Sequence, residues 1–499
     1  MLSRRLLPPL VAVVLAHLPD APRLWLVGGA VRDQILGRPV LDLDFAVDGD
    51  ARRLARRVAG PLGAAYYELD AERDTGRVLL PAARGGQSLD FARLRGGSIE
   101  ADLAARDFSI DAMAVSPDAP EVVLDPTGGL QDLRDRRLRQ AGPTAIEADP
   151  LRALRGVRLA TELHLTIEPK TLASIRRAGS GLSRVSPERI RDEWMRVLQA
   201  ERPGRPLRVL DHLGLLGVAC PEIEPLRGLA QPAPHAFDGL THTLAVLDRL
   251  ADVLAVLGPD SEEHRPADLT LGEAALRLGR FRGGLEGYLR HELAPGRTRR
   301  QLLFMAALLH DVGKPSTGQP GPGGRTRFIG HEAQGAQLAA DRGRALRLSN
   351  DEIEFLVSVI EHHMRPEMLQ SASTVTRRAA YRFFQDAGSA GIGIVLLSLA
   401  DLLGKYAASP PQAEWAGRVA VARGLLLAYF EEHAQIVEPQ KLVSGEDVMQ
   451  ALGLEPGPIV GRLLESLREA QAEGGVGTRG EALAFVRAAL AGMRADGAG

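Results

Sequence analysis

The hydrophobic pattern of this chain changes period once. Between about residues 20 and 140, short strand-like apolar runs alternate with helical stretches. From about residue 142 the spacing turns helical and stays so. Such a sequence is predicted to fold as α+β: a small α/β head with an antiparallel or mixed sheet, followed by all-helical neck, middle and tail domains. At 499 residues the chain is too long for one ordinary core, and length alone suggests about three domains. Hydrophobic residues make up 45% and charged residues 25%, which excludes a disordered chain. The formal net charge of -2 gives no global basic signal, so any nucleic-acid contact must rest on a local patch. Cys220 is the single cysteine; it rules out an intramolecular disulfide and fits a reducing cytoplasm.

Proline and glycine clusters near 203–206, 231–239 and 315–324 mark breaks between helices. Residues 255–300 are charged and dotted with glycine, the composition of an insertion between helices. Arg4 and Arg5 ahead of the apolar residues 10–15 superficially resemble a secretion signal. Pro8, Pro9 and the lack of a small-residue cleavage site favour a short helix packed on the first domain. No later apolar run is expected to reach membrane-spanning length, so no membrane partner is expected.

The stretch 41–47 carries the main chemical signal. Side chains alternate along a strand, so Asp42 and Asp44 share one face while Leu41, Leu43, Phe45 and Val47 share the other. Neighbouring carboxylates repel each other, and a divalent cation resolves the repulsion. Two such ions about 3.5–4 Å apart stabilise attacking and leaving oxygens. A solvated Asp-x-Asp loop is the plain alternative, but the surroundings weigh against it. Upstream, 24–27 reads as a strand, Gly28-Gly29 breaks it, and 30–36 begins a helix. Backbone N–H groups at a helix start suit phosphate, glycine allows close approach, and Arg32 in the first turn adds positive charge. Asp90, on the candidate strand 89–94, is a candidate third carboxylate.

Gly28-Gly29-Ala30-Val31-Arg32-Asp33 followed by Asp42-Leu43-Asp44 resembles the signature of the class II tRNA nucleotidyltransferases, the CCA-adding enzymes, and of the related bacterial poly(A) polymerases. More motifs follow in order. Residues 106–113 resemble the family's Arg-Arg-Asp-Phe-Thr-Ile-Asn-Ala block, departing from it at Ala105 and Asp111. Asp125-Pro126-Thr127-Gly128-Gly129 with Asp132-Leu133, Asp149-Pro150-Leu151-Arg152, and Ser186-Pro187-Glu188-Arg189-Ile190 resemble later blocks. The likeness covers about residues 24–215, and 444–483 again looks similar. It implies a nucleotidyltransferase head at 1–140 and a neck at 141–215 that binds nucleotide base and RNA. A helical tail at 411–499, a tRNA-contacting segment, would complete the chain.

Asp149, Arg152, Arg155 and Arg158 recur every three residues, which makes a stripe along one side of a helix. A solvated charged face is the plain reading. The functional reading follows from base chemistry. Cytosine and adenine both present an amino donor beside a ring-nitrogen acceptor. The Asp149 carboxylate would accept from the amino group, and the Arg152 guanidinium would donate to the ring nitrogen. Uracil and guanine carry the reverse pattern, and each such contact discriminates by about 1–3 kcal/mol. The pair therefore suits CTP and ATP. The resemblance implies that Arg106, Arg155 and Arg158 contact ribose or triphosphate.

A third pattern lies in the middle domain, 216–410. His310-Asp311 ends the apolar stretch 302–309, with His242 upstream and Asp401 downstream. This order resembles the HD superfamily of metal-dependent phosphohydrolases. Imidazole and carboxylate ligands suit a divalent transition metal (Ni, Mn, Co or Fe) that keeps open positions. Such a site activates water against a phosphoester. His331, His362 and His363 are candidates for a second ion. A purely scaffolding HD domain is the alternative.

These patterns predict a tRNA nucleotidyltransferase that adds C and/or A to the tRNA 3′ end from CTP and ATP, with Mg2+ held by Asp42 and Asp44. A CC-adding-only enzyme or a poly(A) polymerase would share the chemistry, although residues 482–499 lack the strongly basic tail of the latter. An HD phosphohydrolase with a nucleotide-binding head is the alternative from another class. Only a short connection, 96–105, precedes Arg106. Many full CCA-adding relatives carry a longer loop there that helps the pocket change from CTP to ATP, so the resemblance points either to efficient CC addition and a poor final A, or to a length difference that is made good by another segment or has no consequence. The basic clusters 134–139, 297–300 and 342–347 read as solvated surface before they read as RNA contacts. Glycine-flanked helix starts at 444–447 and 453–461 can offer N–H groups to tRNA phosphates.

Overall fold

The computed structural model describes residues 6–18, 23–40, 42–81, 86–258, 268–321, 323, 325–370 and 375–496. Leu41, Arg4, Arg5, residues 259–267 of the glycine-dotted stretch, and residues 322 and 324 of the last proline–glycine cluster lie outside them. The chain divides into two compact units: Met1–Arg189 with Val209–Val218, and Ile190–Arg208 with Ala219–Gly499.

The first unit is built on one sheet. Its strands are β1 (Leu24–Val27), β2 (Asp42–Val47), β3 (Ala65–Asp70), β4 (Thr75–Leu79), β5 (Ser88–Arg93), β6 (Ala114–Val115) and β7 (Val123–Leu124). Their order is β3-β4-β5-β2-β1-β6-β7. β2 and β5 run parallel, and the other neighbours are antiparallel, so the sheet is mixed as the α+β pattern predicts. One face is apolar. Leu43, Phe45, Leu89 and Phe91 are buried there, and the two phenylalanine rings stack at 4.9 Å. The Ala51–Leu62 helix covers this face with Ala51, Leu54, Ala55, Val58, Ala59 and Leu62. Its start is fixed by Asp50, whose carboxylate accepts from the Arg53 N–H, and its end by Gly63 at φ 61°. The opposite face carries Asp42 and Asp44. Beyond them Ala46 and Val27 pack against Ile99 and Leu103 of the short Ile99–Ala104 helix.

The same unit holds the Leu151–Glu162 helix, whose apolar side packs on Phe108. A Cβ at Gly156 would lie 2.8 Å from the Phe108 ring, so glycine permits that approach. A short Pro9–Ala16 helix buries Val11 and Val14, as the N-terminal pattern suggests.

The second unit is helical. Gly239–Leu257, Arg299–Leu309, His331–Ala345, Asn350–His362 and Gly391–Lys405 are its principal helices around the histidine cluster described below. The stretch read as an insertion between helices folds, over its described residues, into helices Leu269–Leu278 and Arg282–Arg290 and the small hairpin Glu292–Ala294 with Arg297–Thr298. Its apolar residues Ala274, Leu278, Phe281, Leu285 and Tyr288 are buried, while Gly283 and Gly287 face open space; helical glycines on an outer face mimic loop composition. One correction concerns hydropathy. Arg377–Lys405 is long and apolar enough to cross a membrane by composition, but the apolar window is 89% buried inside the unit, as a core helix would be. Helices Gly445–Leu452, Pro458–Ala472 and Arg479–Asp496 close the chain around Val448, Leu463, Leu467 and Val486.

Candidate functional site

The parallel register of β2 and β5 sets Asp42 opposite Ser88 and Asp44 opposite Asp90. The Ser88 hydroxyl donates to Asp42 Oδ1 at 2.6 Å. Burial, together with the nearby Asp90 and Asp42 charges and against the pull of Arg106, pushes the Asp44 carboxyl up to about 6. Such mutual repulsion is relieved by a divalent cation, and an all-oxygen donor set suits Mg2+. Asp90 stands level with Asp44, but both its oxygens accept from Arg77, at 2.8 and 2.7 Å. Arg77 lies directly across on β4.

The glycine turn closes the site from above β1. Gly28 has φ 75°, and a Cβ there would meet Arg106 Nη1 at 2.8 Å and Asp44 Oδ2 at 3.3 Å. Arg106 is thus the guanidinium beside the carboxylate strand. Its Nε donates to Asp102 Oδ2 at 3.2 Å, and the same buried carboxylate accepts from Arg95 Nε at 2.8 Å. Arg32 lies in the first turn of the Gly29–Leu36 helix with its guanidinium turned to two carboxylates. It is buried, donating to Asp111 at 2.5 Å and twice to Asp33 at 2.9 Å, so it braces the turn from beneath. Asp111, the departure from the family block, supplies the charge that holds it.

The stripe on the Leu151–Glu162 helix forms with all three arginines half-buried. Arg155 pairs with Asp107 at 3.0 Å and Arg158 with Glu162 at 2.9 Å. Although burial works against it, Arg155 lowers the Asp107 carboxyl. Arg152 donates to the backbone carbonyls of Ala145, Arg106 and Ala105, and its Nε stands 3.9 Å from Asp149 Oδ2. Asp149 faces a cleft of about 410 Å3 lined also by Glu147, Arg184, Ser186 and Arg189.

In the second unit, His242, His310 and Asp401 converge, as do Asp311, His331 and His363; in each trio the ligand atoms lie within 4.8 Å of one another. Asp311 joins the trios. Its Oδ2 is 3.3 Å from His310 Nε2 and 3.5 Å from His242 Nε2, and its Oδ1 is 3.5 Å from His331 Nε2. His242 Nε2 and His310 Nε2 are buried with no hydrogen-bond partner. An unsatisfied buried polar atom costs about 1–3 kcal/mol, which a bound cation would offset, so the donor set fits a transition metal. Burial lowers His363 to about 3, leaving it a neutral ligand. Of the three extra histidines named from sequence, His331 and His363 enter the cluster. His362 does not, because adjacent residues on a helix diverge by roughly 100°. Lys314 and Lys405 flank the acids, at 2.6 Å from Asp311 and 3.5 Å from Asp401. A cavity of about 370 Å3 opens over them.

The basic clusters are largely engaged within their own units. Arg137 and Arg139 hold Asp132, Arg297 holds Glu352, Arg300 donates to the carbonyls of 198–201, and Arg342 holds Glu222.

With this geometry in view, comparison with known proteins is direct. The Poly A polymerase head domain family matches residues 24–139, the HD domain family 240–403, and domain 2 of the tRNA nucleotidyltransferases 421–486. An A-adding tRNA nucleotidyltransferase of Deinococcus radiodurans is 34% identical over 94% of this chain and 96% of its own length. The chain belongs to the tRNA nucleotidyltransferase family. Another member, a CC-adding tRNA nucleotidyltransferase of Thermus thermophilus, is 34% identical over 95% of both chains. A solved Thermotoga maritima CCA-adding enzyme complexed with tRNA shares the fold, with a TM-score of 0.56 at 18% identity over 98% of this chain and 97% of that one. A CCA-adding enzyme with CTP does so at 0.59 and 18%, over 97% and 96%.

Within this tRNA nucleotidyltransferase the structure also brings to the candidate site residues that the sequence does not single out. Asp102 is one of them: it lies in the Ile99–Ala104 helix, four residues before Arg106, and pairs with it. Arg77 was hidden because β4 had not been recognised as a strand, and the Arg189–Asp149 pair spans forty residues with no local signal.

Proposed function

We propose that this protein is a template-independent nucleotidyltransferase that adds C and/or A to the tRNA 3′ end. The observation that carries the reading is the Asp42–Asp44 face of β2 beneath the Gly28 turn, with Arg106 reaching across to it. Asp42 and Asp44 would hold Mg2+, which would supply charge stabilisation for attack by the tRNA 3′-hydroxyl and departure of pyrophosphate. Asp90 acts alongside them, through its pairing with Arg77, to hold the carboxylate face in register. Gly28, Gly29 and Arg106 receive the triphosphate, with Arg155 and Arg158 near the ribose. Arg32 supports the turn. Asp149 reads the base, with Arg152 as its donor partner once nucleotide enters. The tail contacts the tRNA, and a reducing cytoplasm is the compartment that fits Cys220 and the substrate.

The test is incubation of the purified protein with Mg2+, labelled CTP or ATP, and tRNA lacking its 3′ end. Absence of any extension would overturn the reading. Asp149→Ala is expected to lower discrimination against UTP by about ten- to a hundredfold while changing triphosphate affinity far less, because one base contact is worth about 1–3 kcal/mol. UTP that stays as strongly excluded as before would place base choice elsewhere.

The segment between β5 and Arg106 supports a CC-limited outcome. It is short and folded: Arg95–Gly97, then the Ile99–Ala104 helix, pinned by Asp102. A pinned segment has little freedom to remodel a pocket from CTP to ATP. With both nucleotides present, sequenced products are expected to end mainly in CC. Complete CCA ends formed at comparable rates for all three additions would exclude this.

A second reading concerns the histidine cluster. His242, His310, Asp311 and Asp401 hold one transition metal, and the convergence of His331 and His363 on Asp311 favours a second. Lys314 and Lys405 would orient a phosphoester over the cavity.

A further inference from the structure

The Asp149 carboxylate is already engaged. Arg189 donates to its Oδ2 at 2.6 Å, while Arg152 Nε is 3.9 Å away and the Arg152 terminal nitrogens are turned to backbone carbonyls. Asp149 and Arg189 line the same cleft. The Arg189 side chain is 52% exposed and that of Asp149 is 25% exposed, so a guanidinium released from this pair returns to water.

We propose that Arg189 sets nucleotide affinity: it is a built-in competitor for the carboxylate that reads the base, displaced only by a base able to replace its N–H donor. The inference rests on Asp149 as the base-reading acceptor. Cytosine and adenine carry an amino group, so entry exchanges one N–H donor on Asp149 for another. Uracil presents a carbonyl oxygen at that place. It cannot satisfy the carboxylate and therefore leaves Arg189 where it is. An ion pair exposed to this degree is weak enough to yield to a correct base and persistent enough to occupy the acceptor otherwise. Arg152 would then take up its base contact after Asp149 has been released.

Arg189→Gln in the full chain tests this through single-nucleotide addition to tRNA lacking its 3′ end, together with equilibrium binding of CTP and ATP. The KM and Kd for CTP and ATP are expected to fall about two- to fivefold, the equivalent of about 0.4–1 kcal/mol. UTP addition relative to CTP is expected to fall by a similar factor, because uracil presents a carbonyl oxygen and no donor to the freed carboxylate. In an Asp149→Asn background the same substitution should leave CTP binding unchanged, because the two side chains act through one contact. Arg189→Lys should fall between the parent and Arg189→Gln. A rise in the KM for CTP, or an equal fall with and without the Asp149 carboxylate, overturns the proposal and marks Arg189 as a direct base contact or a structural residue. Should Asp149→Ala alone leave UTP excluded, the base-reading assignment falls and this inference with it. Relaxed selection in Asp149→Ala beside a raised KM in Arg189→Gln removes only the inference.

Discussion

Replacing Asp44 by alanine or asparagine is expected to leave a folded protein that extends tRNA about a thousandfold more slowly, and Asp42→Ala should behave alike. A metal ion contributes several kcal/mol of charge stabilisation to a phosphoryl transfer, and each 1.4 kcal/mol is a factor of ten. The fold should survive because the carboxylates do not hold the sheet together. Leu43, Phe45, Leu89 and Phe91 do so on the other face. Burial and like charge already raise the Asp44 carboxyl to about 6, so its removal relieves repulsion as well as removing a ligand. Thermal unfolding of the variant should therefore match or exceed that of the parent. Near-normal addition by either variant would sink the assignment of the head.

The second large effect is expected in the histidine cluster. His310→Ala or Asp311→Ala should empty the centre of transition metal, read by elemental analysis after loading with Mn2+ or Ni2+ and dialysis. Any phosphatase or phosphodiesterase activity should disappear with it, while tRNA extension persists. Asp311 contacts three of the four histidines, so its loss removes a ligand from one trio and the carboxylate that links it to the other. Against the pull of burial, the Asp311 and Asp401 charges raise His310, so Asp311→Ala also weakens the field that holds the ring. Metal content unchanged in both variants would refute the site. Loss of tRNA extension without unfolding would show that the two activities depend on each other.

Much of this was legible because chemistry and periodicity coincided. A strict two-residue alternation set Asp42 and Asp44 on one face, and glycine at 28 signalled a turn that β-carbon sterics forbid to other residues. The order His242, His310-Asp311, Asp401 is legible because each falls on a strongly apolar helix or its end, and the four side chains converge. What stayed hidden was long-range pairing. β3 is an edge strand exposed along most of its length, so it encodes no core face to recognise. Arg77 on the adjoining β4 was lost with it. Arg32 reads as a free cation until Asp111, seventy-nine residues away, is folded against it. Nothing local in the sequence foretells that the Arg152 guanidinium meets the carbonyls of Ala105 and Arg106.

Each clustered histidine also makes a second contact. The Nδ1 atoms of His242, His310, His331 and His363 lie 3.2, 2.8, 2.8 and 2.7 Å from the carbonyls of Gly404, Ala307, Phe328 and Ile360. A carbonyl accepts only from N–H, so every ring is fixed in one tautomer with its other lone pair turned inward. The backbone, in folding, therefore does the work of orienting the ligands before any ion arrives. An ion that enters meets a cage already shaped, and its binding free energy passes undiminished into the stability of the folded state, growing with the logarithm of its free concentration.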